Sequence, residues 1–331
     1  LVQRGILEER GAGFRLHDVA RPMFASEIAD HDRDRWERQV AQAFCDAADL
    51  DLVVEAVRLW AKLQDIDQLV STLNARCEDL VRGGHEAEIW TIVEPIGDGR
   101  VERWRLRLAV DVADVSHLLS FSQPADRSAE AQTTWARALF LTARFYEAAD
   151  AARGAVDAAL REGATEWAVE ATLVRSQALG YAGLLVEALA ALDVVCPAPP
   201  SAAIRFDALR AQWLCLTGDF RGAAELVRTL PKRSIAADDD VRLEVVQGMV
   251  FVLYGLGRMR EAADVVRRVF RGRHESAAAR FRSRLTLGWL ALTAVFTGEL
   301  DEARQMIARL EPFARAFSVQ TPFVRALELC Y

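Results

Sequence analysis

Residues 143–149 read ARFYEAA, and four later stretches share this pattern: GLLVEAL at 183–189, GDFRGAA at 218–224, GRMREAA at 257–263 and GELDEAR at 298–304. Successive stretches begin 40, 35, 39 and 41 residues apart. Each lies between segments in which apolar residues recur every three or four positions, the spacing of an amphipathic helix. The pattern therefore predicts a series of helical hairpins, with the turn of each hairpin in the quoted stretch.

The first residue of each stretch is the predicted turn residue. It is glycine in four of the five stretches, and glycine suits the left-handed backbone with which many helices end. Small side chains are expected at two further positions, where the helices of a hairpin cross closely. Five residues after the turn residue stand Ala148, Ala188, Ala223, Ala262 and Ala303. The residue seven positions before the turn residue is small in four of the five stretches, with valine as the exception: Ala136, Ser176, Ala211, Val250 and Ala291.

This arrangement of glycine, apolar residue and alanine resembles the tetratricopeptide repeat (TPR), and the resemblance covers about residues 130–331. It implies an all-α fold, a TPR-like superhelical solenoid of antiparallel helical hairpins. We therefore assign residues 31–120 to irregular helical hairpins and residues 121–331 to TPR-like repeats. An unrelated alanine-rich helical bundle is the alternative fold.

The composition disfavours several other classes of protein. The 331 residues include 56 alanines, and 39 of the 41 basic residues are arginine, so strong helix formers dominate and an all-β fold is disfavoured. A net charge of −7 disfavours the coating of nucleic acid and attachment to an anionic membrane, since both need a positive surface. Five scattered cysteines without a CxxC pair indicate reduced thiols in a cytoplasmic protein. The longest apolar run, 285–298, is too short to span a membrane.

The first thirty residues have a different character. Two short apolar stretches, IL at 6–7 and FRL at 14–16, flank a GAG loop at 11–13 and predict a β-hairpin. The motif LVQRGIL…FRLHDVAR resembles the end of the winged-helix domain of signal-transducing ATPases with numerous domains (STAND proteins), of the maltose-regulator or large LuxR-like type. The resemblance implies that residues 1–30 form the C-terminal part of a winged helix in a bacterial transcriptional regulator, with an NTPase module upstream.

The same resemblance implies a role for His17. In such winged helices the histidine of an x-His-Asp motif, here Leu16-His17-Asp18, reaches the diphosphate of bound ADP and helps to hold the resting state. An imidazole N–H suits a phosphate oxygen. The chain contains no GxxxxGK[ST] or GxGxxG loop, so we expect no cofactor in this chain and ATP or ADP only in a longer parent protein. The alternative is a histidine that caps the local turn.

The strongest charge feature is a run of arginines between positions 267 and 284. Guanidinium groups suit phosphate and carboxylate, so the run predicts a patch for an acidic partner. The alternative is a set of exposed hairpin surfaces whose arginines pair with acidic neighbours. The seven residues are Arg267, Arg268, Arg271, Arg273, Arg280, Arg282 and Arg284.

Catalytic and metal-binding motifs are not found in the sequence. HExxH, GxSxG and histidine pairs with ligand spacing are all missing, so we predict a chain that is not an enzyme and holds no metal. The acidic run at 238–240 lacks the third carboxylate of a prenyl-transfer site, and a helix N-terminus explains it. A helical enzyme with a pocket between hairpins is the least favoured reading.

The predicted function is a non-catalytic sensor or protein-interaction segment of a signal-responsive transcriptional regulator. It would bind a protein or a small-molecule inducer on the concave face of the solenoid. Self-association is a further expectation, membranes are not expected as partners, and DNA is expected only through domains outside this chain. The alternative is a plain TPR scaffold or adaptor without nucleotide control.

Overall fold

The computed structural model describes residues 7–10, 13–16, 30–112, 114–193, 199–233, 239–270, 291, 294–295, 297–301, 303–306 and 308. The chain divides into two compact units, Leu1–Val101 and Glu102–Tyr331. Within the described ranges, both units are helical apart from one β-hairpin. The domain boundaries expected from the sequence stay predictions.

The first unit begins with that β-hairpin. Strands β1 (Leu7–Arg10) and β2 (Gly13–Leu16) pair antiparallel, with Leu7 opposite Leu16. They lie where the sequence predicts a hairpin, and their assignment to a winged helix stays a prediction. The helices of this unit are α1 (Asp30–Cys45), α2 (Leu50–Lys62), α3 (Ile66–Gly83) and α4 (Glu86–Val93), followed by a 3₁₀ turn at Gly99–Val101.

The second unit begins with α5 (Glu102–Val112) and the short α6 (Val115–Leu118) and continues as a row of hairpins. Each hairpin has a first helix and a second helix, and each first helix also packs against the first helix of the next hairpin. Hairpin I is α7 (Ala129–Leu141) with α8 (Phe145–Glu162), and hairpin II is α9 (Thr165–Tyr181) with α10 (Leu185–Ala191). Hairpin III is α11 (Pro200–Leu216) with α12 (Phe220–Arg233), and hairpin IV is α13 (Asp239–Gly255) with α14 (Met259–Phe270).

The predicted turn residues adopt the left-handed conformation that ends each first helix. The φ angles are 61° at Ala143, 85° at Gly183, 88° at Gly218, 70° at Gly257 and 81° at Gly298. In each turn the following residue donates its backbone N–H to the carbonyl five positions earlier, as Arg144 does to Leu139 at 2.9 Å. This is the Schellman arrangement, which satisfies carbonyls at the helix end. The predicted turns are therefore confirmed.

Ala143 is the one predicted turn residue with a Cβ atom, and its φ of 61° is strained for any residue other than glycine. We expect Ala143→Gly to raise the free energy of unfolding by about 0.5–1 kcal/mol, because relief of the strain outweighs the greater freedom of glycine in the unfolded chain. Urea denaturation followed by circular dichroism measures the change. Gly183→Ala should shift stability in the opposite direction, and a destabilised Ala143→Gly variant would contradict the expectation.

The residues at the predicted helix crossings, nine of them small and one a valine, are all inaccessible to solvent. All ten have a relative exposure of 0%. In hairpin II the two positions are in direct contact, since Ser176 Oγ donates a hydrogen bond to the carbonyl of Ala188 at 2.8 Å. A larger side chain at either position would push the paired helices apart, so the recurrent alanines are part of the packing as well as good helix formers.

The structure shows a further turn of the same kind in the first unit, between α2 and α3. Gln64 has a φ of 54°, and Asp65 donates its N–H to the carbonyl of Trp60 at 3.0 Å. The two crossing positions hold Val57 and Leu69, both 0% exposed. The sequence predicted only an irregular hairpin here. Glutamine at the turn and larger residues at the crossing conceal the repeat.

The first and second helices of a hairpin differ in how much of their surface is covered. In α12 the buried residues Ala223, Val227 and Leu230 form one stripe, as in an amphipathic surface helix. In α11 the buried residues lie on two opposite sides of the helix, because its own second helix and the first helices of both neighbouring hairpins pack against it. The two sides between them are partly exposed, and Arg205 and Gln212 lie on one of these sides.

Candidate functional site

Two positions within the first helices are partly exposed in all four hairpins. They lie thirteen and six residues before the turn residue. Because they are seven residues apart, they share one face of the helix. We call this set the open strip: Glu130 and Arg137 on α7, Glu170 and Gln177 on α9, Arg205 and Gln212 on α11, and Glu244 and Phe251 on α13.

Four residues of the open strip form a continuous chain of ion pairs across the hairpins. Arg137 pairs with Glu170, and Glu170 pairs with Arg205. Arg205 in turn donates from Nη2 to Glu244 Oε1 at 3.0 Å. This ion-pair ladder places opposite charges on successive first helices, so it links hairpins I to IV.

Arg205 is the most enclosed member of the ladder, with 10% of its side chain exposed. Burial alone would lower the pKa of Arg205, but Glu244 and Glu170 outweigh that effect and raise this pKa above its usual range. The guanidinium is therefore charged and lies between two carboxylates that are 16% and 18% exposed. A charge this deeply buried depends on both partners, since losing them would leave it uncompensated.

A second group of charges lies at the start of the open strip. Glu130 accepts a hydrogen bond from Arg103 at 3.0 Å and lies 3.5 Å from Arg107 Nη1. Arg107 also pairs with Asp111 at 2.9 Å, and its guanidinium lies over the Trp167 ring, 5.8 Å from the centroid. Each of these arginines therefore has a carboxylate partner within the protein.

The remaining polar side chains of the strip are two amides at equivalent positions. Gln177 on α9 and Gln212 on α11 are both partly exposed. Within the described part of the chain, neither side-chain amide has a hydrogen-bond partner. One helical turn further on stand two half-exposed apolar residues, Tyr181 (51%) and Leu216 (50%). The pair of an amide and an apolar side chain thus occurs twice, on neighbouring first helices.

An aromatic cluster holds Tyr181 in place. Its ring stacks on Phe145, with centroids 5.7 Å apart, and meets Phe140 and Trp213 edge-on. Trp213 is almost fully buried and donates from Nε1 to Ser176 Oγ at 2.9 Å. The exposed half of Tyr181 is therefore the surface of a packed cluster rather than an isolated side chain.

The residues predicted as sites from the sequence lie mostly beyond what the structure describes. Arg267 forms ion pairs with Glu299 and with Asp264, the latter at 3.9 Å, as expected if the arginines pair with acidic neighbours. Arg268 lies in α14. The sites at His17 and at Arg271, Arg273, Arg280, Arg282 and Arg284 lie outside the described residues and stay predictions.

Other candidate sites in the described residues are less developed. A cavity of about 380 Å³ lies beside the turn of hairpin IV, but its charged residues Arg258 and Glu261 pair with each other. Within the described ranges, no group of His, Cys, Asp and Glu side chains is arranged to hold a metal ion. None of the helices described has the length and apolar character needed to cross a bilayer.

Sequence reasoning missed the open strip, although a signal for it was present. Aligned on the turn residue, the position thirteen residues earlier is Glu, Glu, Arg and Glu in hairpins I to IV. A charged residue at the same place in four helices is unusual for a surface otherwise covered by neighbours. The sequence does not show that side chains 35 and 39 positions apart meet as ion pairs.

The sequence matches no protein-family model and no curated protein. Among solved structures, the chain is similar to a STAND protein with a TPR sensor from Pyrococcus horikoshii, with a TM-score of 0.55 and 12% identity. That match covers 98% of this chain and 53% of the other, so this chain spans about half the length of its structural relative.

A second similar structure is that of a Rap protein complexed with Competence and Sporulation Factor. The TM-score is 0.50 and the identity 12%, over 91% of this chain and 96% of the Rap protein. Identities this low establish a shared fold and nothing further. The two likenesses confirm the predicted fold class, a TPR-like helical repeat, over the alternative of an unrelated helical bundle.

Proposed function

We propose that the chain is a non-catalytic interaction segment that binds a polypeptide partner along the open strip. The observation that carries the proposal is the recurrence of partly exposed side chains at two equivalent positions on four consecutive first helices. A strip that crosses four hairpins suits an elongated partner, whereas small molecules are usually enclosed in a concave apolar pocket. Its polar side chains supply hydrogen-bonding groups and its half-exposed neighbours supply apolar contacts.

We further propose that this segment is the sensor of a STAND-type transcriptional regulator. Two observations support the proposal: the motif resemblance at residues 4–21, and the likeness in fold to a STAND protein with a TPR sensor. In such a parent protein, ATP or ADP and DNA would be bound by other domains. The partner would act by binding one conformational state of the regulator more tightly than another.

The test of binding is a peptide screen on the purified chain. We expect individual members of a random peptide library to raise its melting temperature, since a ligand of the folded state stabilises it. Hydrogen exchange should then show protection in α9, α11 and α13, with little change in α12 and α14. Protection confined to α12 and α14, stabilisation by small metabolites alone, or ATP hydrolysis by the chain would contradict the proposal.

A plain TPR scaffold without nucleotide control remains the alternative. A longer parent with an upstream phosphate-binding loop should release ADP faster when the peptide is added, if the segment is a sensor. A scaffold would bind the same peptide with no change in nucleotide release. Loss of the effect in His17→Ala, with peptide binding unchanged, would support the role predicted for His17.

A further inference from the structure

The two amides of the open strip differ from the arginines of the ladder in whether their hydrogen-bonding groups already have partners among the described residues. The arginines of the ladder contact carboxylates of neighbouring helices, so their charge is compensated within the protein. Gln177 and Gln212 have no such partners among the described residues, and each offers both a donor and an acceptor. An anionic ligand would have to displace a carboxylate from an arginine, whereas a neutral group meets available amides directly.

The two amides also lie at equivalent positions of neighbouring helices. They occupy the same position on α9 and α11, which pack against each other, and packed helices lie about 8–10 Å apart. A polyproline II helix advances about 9 Å in one turn of three residues, so it presents an equivalent carbonyl at that interval. Every third carbonyl of such a segment would therefore meet an amide of the protein.

Other backbone conformations fit this spacing less well. In a β-strand, groups three residues apart point to opposite sides, so only one of the two amides would find a partner. In an α-helix the backbone carbonyls are already bonded within the helix. The polyproline II helix has no internal hydrogen bonds, and its carbonyls remain open to donors from outside.

We propose that the open strip binds a polypeptide segment in the polyproline II conformation, with uncharged apolar residues three positions apart. Gln177 and Gln212 donate to its carbonyls, and Tyr181 and Leu216 contact its apolar side chains. Both apolar residues lie one helical turn beyond an amide and are half-exposed. The inference rests on the proposed function and specifies the chemistry of its partner.

The test uses a fluorescent peptide of repeated Leu-Pro-Pro units and the whole chain. We expect Gln177→Met with Gln212→Met to weaken binding about tenfold, the loss of two modest hydrogen bonds. Methionine keeps the length of the side chain, so folding should be retained and is checked by circular dichroism. The matched control is Gln68→Met on α3, an exposed glutamine outside the open strip, which should bind as the unaltered chain does.

A second peptide has the same composition, but its leucines are alternately two and four positions apart. It should bind at least tenfold more weakly than the regular repeat. Equal binding of both peptides, or no loss in the double glutamine variant, would overturn the polyproline II inference. If library peptides protect the first helices while the Leu-Pro-Pro peptide does not bind, this inference fails and the proposed function stands. If neither kind of peptide binds, both are overturned.

Discussion

Replacing Trp213 by alanine should lower the free energy of unfolding by about 3–5 kcal/mol, as expected when a large buried aromatic side chain is removed. Trp213 is 3% exposed and joins α11 to α9, where its Nε1 donates to Ser176 Oγ at 2.9 Å. The substitution removes the ring and leaves Ser176 without that donor. Urea denaturation measures the loss, and Trp36→Ala, at a residue 57% exposed, should change stability little.

Gly180, which lies against the Trp213 ring, allows a second test, in which the same substitution should have opposite effects on stability in two backgrounds. A Cβ atom on Gly180 would lie 2.5 Å from the Trp213 ring, so Gly180→Ala should destabilise the protein. In the Trp213→Ala background the same change should stabilise it by about 0.5–1 kcal/mol, the usual advantage of alanine over glycine within a helix. Equal effects in the two backgrounds would show that the Trp213 ring does not require a residue without a Cβ atom at position 180.

Breaking the ion-pair ladder should have an effect of similar size. The double substitution Glu170→Leu with Glu244→Leu leaves Arg205 buried without either carboxylate, and we expect a loss of about 3–5 kcal/mol. The unfolding free energy from urea denaturation is the measurement. Glu225→Leu is the control, because its partner Arg228 is 74% exposed and a pair at the surface contributes little.

A third substitution separates the buried charge from the other consequences of the double change. Adding Arg205→Met should restore most of the lost stability, since an apolar side chain replaces the uncompensated guanidinium. If the triple variant is as unstable as the double variant, the loss comes from poor packing of the leucines or from the missing pair of Glu170 with Arg137. A double variant as stable as the unaltered chain would show that the ladder does not hold Arg205.

The hairpins could be predicted because their determinants are local. The left-handed turn at Gly183 and the crossing of Ser176 with Ala188 involve residues within one repeat, and repetition of the pattern separates it from chance. The hairpin around Gln64 was predicted only as irregular, because glutamine does not signal a left-handed turn. Its backbone follows the same path because the burial of Val57 and Leu69 outweighs the preference of a single residue.

The candidate site was less accessible to sequence reasoning. The arginine run at 267–284 is conspicuous in the sequence. Arg267, the one member whose side chain the structure describes, is paired with Glu299 and Asp264. The ladder residues are inconspicuous, because a lone Glu or Arg within a helix usually lies on a solvated face. Their significance depends on which helices pack side by side.

The amino-acid sequence thus specifies the hairpins, their turns and the small residues at their crossings, since these follow from backbone preference and the spacing of apolar residues. The open strip follows from the stacking of hairpins. Packing buries much of each first helix but leaves the strip partly exposed. There Arg205 lies between Glu170 and Glu244, and the amides of Gln177 and Gln212 have no hydrogen-bond partner among the described residues. Glu170 and Glu244 contact Arg205 across separations of 35 and 39 positions, and a single sequence does not show which residues so far apart are in contact.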